Sequence, residues 1–253
     1  MFLLKLTLAP VLIFFVSLAE RKWGAGVSGL LIGLPMTSGP ILYFLALEQG
    51  PHFSARTSVG SLLSLTAFAG FTFVYGWFSR SWKWPTCVLA GSAAYIVVAF
   101  FLGVISIHSG AMAFLCACLA LLAVRQSFLR TDRNDTEAKT LGSRELFLRM
   151  ATAAALVFSL TALADILGPV PSGLIAGFPI YSSILAVFNH MKSSGLAISM
   201  LRGVVTGAFG GAVFFVIVAL FLNRMSIGVC FMTAATAAVS TQALLLPTVK
   251  RIW

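Results

Sequence analysis

Apolar segments of about 20 residues recur along the whole chain and are separated by short polar gaps. A helix of about 20 residues spans the roughly 30 Å hydrocarbon core of a bilayer. The pattern therefore predicts an all-α polytopic membrane protein, and it argues against a β-barrel, whose spanning segments alternate over about 10 residues. We predict nine spans, at roughly 3–19, 24–48, 55–79, 84–106, 109–127, 146–166, 169–191, 196–222 and 225–247.

The composition supports this class of protein. Hydrophobic residues make up 59% of the chain and charged residues only 9%, whereas a soluble domain carries about a quarter charged residues. The first apolar segment resembles a signal peptide, but it lacks a small-residue cleavage pattern and Glu20, Arg21 and Lys22 follow it directly, so we expect a retained helix. All four cysteines lie in apolar segments and are interpreted as small packing residues.

The positions of the basic residues predict the orientation of the chain. If the N-terminus lies outside, every Lys and Arg except Lys5, Arg56 and Arg224 falls inside or near the inner face, as the positive-inside rule requires. We therefore expect a multi-pass protein of a bacterial-type inner membrane, with the N-terminus outside and the C-terminus in the cytoplasm. The net charge of +10 is then a signal of topology, and no nucleic-acid partner is expected.

A phrase near the start of the chain recurs in the second half. The segment "SGLLIGLPMTSGP" at 28–40 is followed 144 residues later by "SGLIAGFPIYSS" at 172–183. The identical pairs at this offset are Gly24 and Gly168, Ser28 and Ser172, Gly29 and Gly173, Leu30 and Leu174, Gly33 and Gly177, Pro35 and Pro179, and Ser38 and Ser182. We interpret the match as an internal repeat.

The repeat divides the chain into two four-span units. The first unit covers 1–108, a linker helix and cytoplasmic loop cover 109–145, and the second unit covers 146–253. Because the linker adds a single span, the second unit is expected to be inverted relative to the first. Inverted repeats of this kind are common in secondary transporters.

Both copies of the phrase contain residues that break a helix in mid-span. Pro35 and Pro179 cannot donate a backbone hydrogen bond and clash with the preceding turn, and hydroxyl residues, which are good helix N-caps, follow them. Two new helix N-termini near the bilayer midplane would attract an anion or a carboxylate. The predicted substrate-binding residues are Gly33, Pro35, Thr37, Ser38, Gly39, Gly177, Pro179, Tyr181, Ser182 and Ser183. The alternative is a pair of proline kinks whose Gly-x-x-x-Gly motifs only improve helix packing.

Ionisable residues near the span ends form a second set of candidates, for gating or for charge along the path of a solute. Glu48, His52 and Arg56 lie near the outer ends of spans 2 and 3. His190 and Arg202 lie near the inner ends of spans 7 and 8. The alternative interpretation is that they are interfacial side chains that extend to water. Glu20 and Asp165 correspond between the halves, and each is interpreted as a solvated residue at the end of a span.

Several kinds of site are not indicated by the sequence. No carboxylate stands in the middle of a span, although proton-coupled carriers usually keep one there, so the coupling ion is left open between Na⁺ and H⁺. No nucleotide-binding loop, metal-ligand cluster or catalytic Ser/His/Asp order is present. We therefore expect no enzyme, no catalytic residue, no metal site and no cofactor.

The second half resembles a known family over about 50 residues. The segment "GLIAGFPIYSSILAVFNHMKSSGLAISMLRGVVTGAFGG" is similar to the small four-helix membrane proteins of the GlpM type, which carry an "IAGL…FP" phrase followed by a hydroxyl residue and a His near the end of the span. The resemblance implies a four-span unit that was duplicated and fused, and it implies no substrate. The first half departs from it, since Ala46 stands where His190 stands in the second.

The expected function is that of a secondary transporter for a small anionic or carboxylate-bearing solute, working by alternating access around the two broken helices. The alternatives are a flippase or exporter for lipids or amphipathic anions, a channel, and a membrane assembly factor that transports nothing. The expected partners are membrane lipid and the solute, and a second copy of the chain is a candidate partner in a homodimer.

Overall fold

The computed structural model of the chain is all-helical over the residues that it describes. These are residues 2–105, 107–129, 142–167 and 177–252, with the side chains of 2–9, 128–129, 160–167 and 248–252 excepted. The helices are α1 (Phe2–Trp23), α2 (Ala25–Ile32), α3 (Ser38–Glu48), α4 (Pro51–Phe78), α5 (Trp84–Ile105), α6 (Gly110–Leu129), α7 (Ser143–Leu167), α8 (Ile180–His190), α9 (Ser194–Phe221) and α10 (Ile227–Ile252).

Five of these helices, α4, α5, α6, α9 and α10, are long and apolar enough to cross a membrane. These helices are compatible with a multi-pass membrane protein. The number of nine spans stays a prediction, although α1 and α7, with 22 and 25 residues, also have the length of a span. α2 and α3 are each too short to cross alone, because the break between them divides one predicted span.

α9 lies at the centre of the described bundle. It packs against α2, α4, α6, α8 and α10, and 61% of its most apolar window is buried, compared with 11% for α5. The buried side chains form two clusters that share this helix: Leu196 to Ala208 belong to one and Ala212 to Leu222 to the other. α5, in contrast, presents most of its apolar surface outward, as a helix that faces lipid does.

The packing of the other helices follows a regular scheme. α3 packs on α4 and α4 on α5, while α8 packs on α9 and α9 on α10. α6 contacts both α4 and α9, and α1 contacts α7. The helices that precede α6 are thus arranged in the same order of contacts as those that follow it.

Glycines allow α2 and α9 to approach until their backbones touch. A Cβ atom at Gly203 would collide with the carbonyl oxygen of Gly26, and one at Gly207 would collide with the carbonyl oxygen of Leu30. On the other side, a Cβ at Gly29 would meet the backbone of α9. Small residues spaced by four are the usual means of close helix approach in membranes, where packing rather than water exclusion drives association.

Contacts between helices fix their relative directions. α1 packs along α7, and its C-terminal part meets the N-terminal part of α7, since Glu20 is paired with Arg149, so these helices are antiparallel. Gly177, just before α8, lies against Ser64 in the middle of α4, and His190 at the end of α8 contacts Tyr75 near the end of α4, so α8 and α4 run the same way. α3 reverses into α4 through a tight turn at Gly50, whose φ of 91° favours glycine.

We predict that Gly203→Ala lowers stability, because the added methyl group collides with backbone that cannot move aside. Overpacking of this kind costs about 1–3 kcal/mol, which corresponds to a lower melting midpoint by about 3–10 °C for a chain of this size. The matched control is Gly60→Ala on α4, where a Cβ meets nothing within 4 Å. Thermal unfolding of the purified protein in detergent measures both, and equal midpoints for the two variants would contradict the close approach.

Candidate functional site

The first predicted helix break is present in the structure. α2 ends at Ile32 and α3 begins at Ser38, so residues 33–37 are not helical. Pro35 lacks the N–H that the helix ladder needs, and the backbone turns instead: Met36 N–H donates to the Leu34 carbonyl at 2.8 Å and Gly39 N–H donates to the Pro35 carbonyl at 2.7 Å.

At the second predicted break, the described residues have the same local hydrogen bonds. Ile180 N–H donates to the Phe178 carbonyl at 2.9 Å, and Ser183 N–H donates to the Pro179 carbonyl at 2.9 Å. All four residues lie 144 positions after their counterparts in the first break. α8 begins at Ile180, directly after Pro179. The preceding part of the repeated phrase, Gly168 and 172–176, lies outside the described residues.

The two predicted breaks lie next to each other at Thr37 and Tyr181, whose side chains are close enough to interact. These two residues also stand 144 positions apart. The structure therefore brings together the two segments that the sequence indicated independently.

Both breaks pack at the mid-height of a long helix. Gly33 lies against the backbone of Gly207, the fourteenth residue of the 28-residue α9. Gly177 lies against Ser64, the fourteenth residue of the 28-residue α4. A helix of 28 residues is about 42 Å long, so each break lies well away from both ends of the bundle.

The glycines of the predicted site are packing positions. A Cβ at Gly33 or at Gly177 would collide with the neighbouring helix, and a Cβ at Gly39 would lie 3.4 Å from the ring of Phe214. Ser183 donates its hydroxyl to the Pro179 carbonyl at 2.8 Å, which is ordinary back-bonding within a helix. These residues shape the breaks.

Four backbone donors remain at the two breaks. Among the described residues, no hydrogen-bond partner is found for the N–H groups of Thr37 and Ser38 or for those of Tyr181 and Ser182. They are the first donors of α3 and α8, which every helix leaves unpaired. Ser182 is buried and Ser38 is half-buried, so these donors are held within protein, as an interrupted helix in a bilayer requires.

A glutamine that the sequence analysis did not single out supports the first break. Gln242 on α10 donates its Nε2 to the carbonyls of Leu30 at 2.8 Å and Gly207 at 3.2 Å. It therefore bridges α2 and α9 directly beside the break. A lone amide in an otherwise apolar helix was the signal available in the sequence, because a buried polar group must find a partner.

The ionisable candidates near the helix ends separate into two groups. Glu48, His52 and Arg56 are exposed, which agrees with interfacial side chains. His190 is half-buried, and its Nδ1 lies 3.2 Å from the Tyr75 hydroxyl. Arg202 is also half-buried, and it lies near Arg80.

A buried charge cluster lies where α1 ends and α7 begins. Arg149 is fully buried and donates to both oxygens of Glu20, at 2.8 and 3.2 Å. It also donates to Glu145 at 2.8 Å and to the amide oxygen of Asn189 at 3.2 Å. Lys192 lies 2.9 Å from Glu145. We call these five residues the Arg149 cluster.

The interpretation of Glu20 as a solvated residue is wrong. Its exposed fraction is 4%, because α7 packs on α1 and supplies Arg149 as counter-charge. The sequence concealed this contact, since Arg149 follows a long charged stretch that was interpreted as a loop and its partner lies 129 residues away. The side chain of Asp165, the counterpart of Glu20, lies outside the described residues.

No group of three or more potential metal ligands occurs among the side chains that the structure describes. The four cysteines are free; Cys87 and Cys230 are buried, and Cys116 and Cys118 are half-buried. Comparison with known proteins adds no relative, since no protein-family model, no curated protein and no solved structure matches the chain. The chemistry of the site is therefore argued from its own residues.

We predict that Arg149→Met destabilises the protein by about 3–5 kcal/mol, because it leaves the carboxylate of Glu20 buried without its partner. The double variant Glu20→Gln with Arg149→Met should lose less than the sum of the two single changes. Titration of the purified variants with sodium dodecyl sulfate gives the free energies for this double-mutant cycle. Arg224→Met, at an exposed position, is the control, and strictly additive losses would show that the pair is not coupled.

Proposed function

We propose that the chain is a secondary transporter for a small anionic or carboxylate-bearing solute in a bacterial-type inner membrane. Two equivalent broken helices would meet at the site and exchange access between the two sides. The observation that carries the proposal is the contact between Thr37 and Tyr181, equivalent residues of the two breaks. A carrier of this type binds its solute where broken helices converge near the midplane.

The recurrence of helix lengths and contacts supports an internal repeat. α4 and α9 each have 28 residues, and α3 and α8 each have 11. The contact of α3 with α4 has its counterpart in that of α8 with α9, and α4 with α5 corresponds to α9 with α10. α6 contacts both α4 and α9, as expected of a helix between two related units. The resemblance to GlpM-type proteins, a proposal as well, fits the same duplication.

The helix directions support inversion of the second unit. α3 is antiparallel to α4, since Ser54 of α4 donates to the Leu42 carbonyl of α3 just past their connecting turn. α8 runs parallel to α4, so the equivalent helices α3 and α8 point in opposite directions. The equivalent helices α1 and α7 are antiparallel as well. Units related in this way can interchange their conformations, which opens one face of the protein as the other closes.

The chemistry of the breaks favours an anion over a cation. The groups left without partners are N–H donors at the starts of α3 and α8, where the helix dipole is positive. A carboxylate could accept from Thr37 and Ser38 on one side and from Tyr181 and Ser182 on the other. The hydroxyls of Thr37 and Tyr181 would then exchange their mutual contact for hydrogen bonds to the solute.

One observation favours a second candidate function, that of a membrane assembly factor without transport. The glycines at both breaks are in contact with neighbouring backbone or side chains, as expected if the breaks serve only to bring helices close together. In that case the Thr37–Tyr181 contact would be a permanent part of the core.

The inverted topology predicts that Gln49 and Met191 lie on opposite sides of the membrane. Both are exposed residues just after α3 and α8. In a chain whose four native cysteines are replaced, Gln49→Cys should react with a membrane-impermeant maleimide in intact cells, and Met191→Cys only after permeabilisation. Lys83→Cys, beyond the end of α4, is the control and should behave like Met191→Cys. Labelling of Gln49→Cys and Met191→Cys from one side would refute the inversion.

We expect purified protein in proteoliposomes to take up at least one radiolabelled carboxylate among acetate, lactate, succinate and citrate with saturable kinetics. Ser38→Leu and Ser182→Leu should each lower the uptake at least tenfold, because the larger side chain fills the space beside the N–H donors. Thr233→Leu, on the exposed face of α10, is the control.

If both serine variants keep the uptake of the wild type, the breaks do not form the solute-binding site. If none of the four solutes is taken up by folded protein, the assembly factor becomes the better description. Flux that rises linearly with concentration would point to a channel instead.

A further inference from the structure

Two hydrogen-bond donors of the Arg149 cluster are buried without an acceptor. Among the described residues, Arg149 Nε and Asn189 Nδ2 have no hydrogen-bond partner, and both side chains have an exposed fraction of 0%. Leaving a buried donor unpaired costs about 1–3 kcal/mol. Both groups are donors on residues that are hydrogen-bonded to each other, so each is available to an acceptor supplied from outside.

The cluster already holds one carboxylate, and a ligand carboxylate that also served Nε would bind the neighbouring Nε–Nη2 edge of the guanidinium. Both oxygens of Glu20 accept from the two terminal nitrogens of Arg149, the bidentate arrangement that makes arginine selective for carboxylates. The ring of Phe188 lies 5.5 Å from the guanidinium carbon and covers it. Glu20 is thus an internal occupant of a dry carboxylate site.

The charges of the cluster decide what must accompany a ligand. Glu20 and Glu145 balance Arg149 and Lys192, so a further anion would leave the buried cluster with a net negative charge. Glu145 pairs with both cations, whereas among the described residues Glu20 pairs with Arg149 alone. Glu20 is therefore the carboxylate whose release, followed by protonation, breaks the fewest contacts.

We propose that Arg149 and Asn189 bind the carboxylate group of a small solute in exchange for Glu20, which takes up one proton from the aqueous phase. One anion and one proton then enter together, so the cluster keeps its net charge. Arg149 keeps its charge throughout, and Asn189 Nδ2 and Arg149 Nε gain the acceptor that they lack. This inference rests on the proposed function and adds to it a second carboxylate site, at the end of α8 away from the break, and a proton as the coupling ion.

The pH dependence that Glu20 causes must be distinguished from that of other ionisable groups near it. α7 contributes Glu145 and Arg149, α8 contributes Asn189, and Lys192 follows α8. α2, which also packs on α1, carries no ionisable side chain. His190 follows Asn189 on α8 and is itself a titratable group, but it contacts Tyr75 on α4, so His190→Gln serves as a control for its contribution.

The test is the thermal midpoint of the full chain in detergent with sodium acetate or sodium succinate, with sodium chloride as the reference and at several pH values. Binding raises the midpoint by mass action, and its concentration dependence gives an apparent Kd. Uptake of one proton with the ligand should strengthen wild-type binding about tenfold for each unit by which the pH falls.

Glu20→Gln removes the internal competitor and its titration. We expect its apparent Kd to be at least tenfold lower than that of the wild type near pH 7.5 and nearly independent of pH. Arg149→Lys should weaken binding at least tenfold, since it keeps the charge and loses the bidentate geometry. Glu48→Gln, at an exposed carboxylate, and His190→Gln should both behave like the wild type.

No midpoint change with either carboxylate at any pH, in a protein that unfolds cooperatively, would overturn the inference. So would a pH dependence that survives in Glu20→Gln or disappears in His190→Gln. If Arg149→Lys fails to fold, the inference is tested by the carboxylate affinity of Glu20→Gln and by the pH dependence of that affinity. Binding is measured without transport, so a protein that binds acetate and moves nothing would contradict the proposed transporter and leave this site intact.

Discussion

A helix interrupted inside a bilayer must be enclosed by protein, and the rest of this structure is arranged around that constraint. Lipid offers no hydrogen bonds, so the donors exposed between α2 and α3 and before α8 can exist only where other helices surround them. α9 supplies the largest part of that enclosure. Its glycines let α2 lie directly on it. Gln242 of α10 donates hydrogen bonds to the carbonyls of Leu30 and Gly207, which lie beside the break.

Much of the helical architecture could be predicted from the sequence because each signal was local. Apolar length marked the spans, and Pro35 marked the end of α2 through its missing N–H. The match of Gly33 with Gly177 and of Pro35 with Pro179 indicated that the two breaks are equivalent. Their identical turn hydrogen bonds agree with that prediction.

The Arg149 cluster could not be predicted because its contacts are distant in sequence. Glu20 and Arg149 each stand at the end of a polar stretch, where composition favours solvated side chains, and only the packing of α1 on α7 buries them. The roles of Gly33 and Gly177 were also hidden, since a glycine before a proline serves helix breaking and close packing equally well. Whether such a glycine only breaks the helix or also allows close packing depends on the neighbouring helix.

The contact between Thr37 and Tyr181 joins two positions, 144 residues apart, that carry different side chains. A short hydroxyl meets a long phenol, so the two segments contribute unequally to it. If the proposed repeat relates the segments by a two-fold rotation, two identical side chains would allow two arrangements of equal energy, whereas this unequal pair distinguishes them. The pair would then give the protein a chemical reason to rest in one state rather than the other.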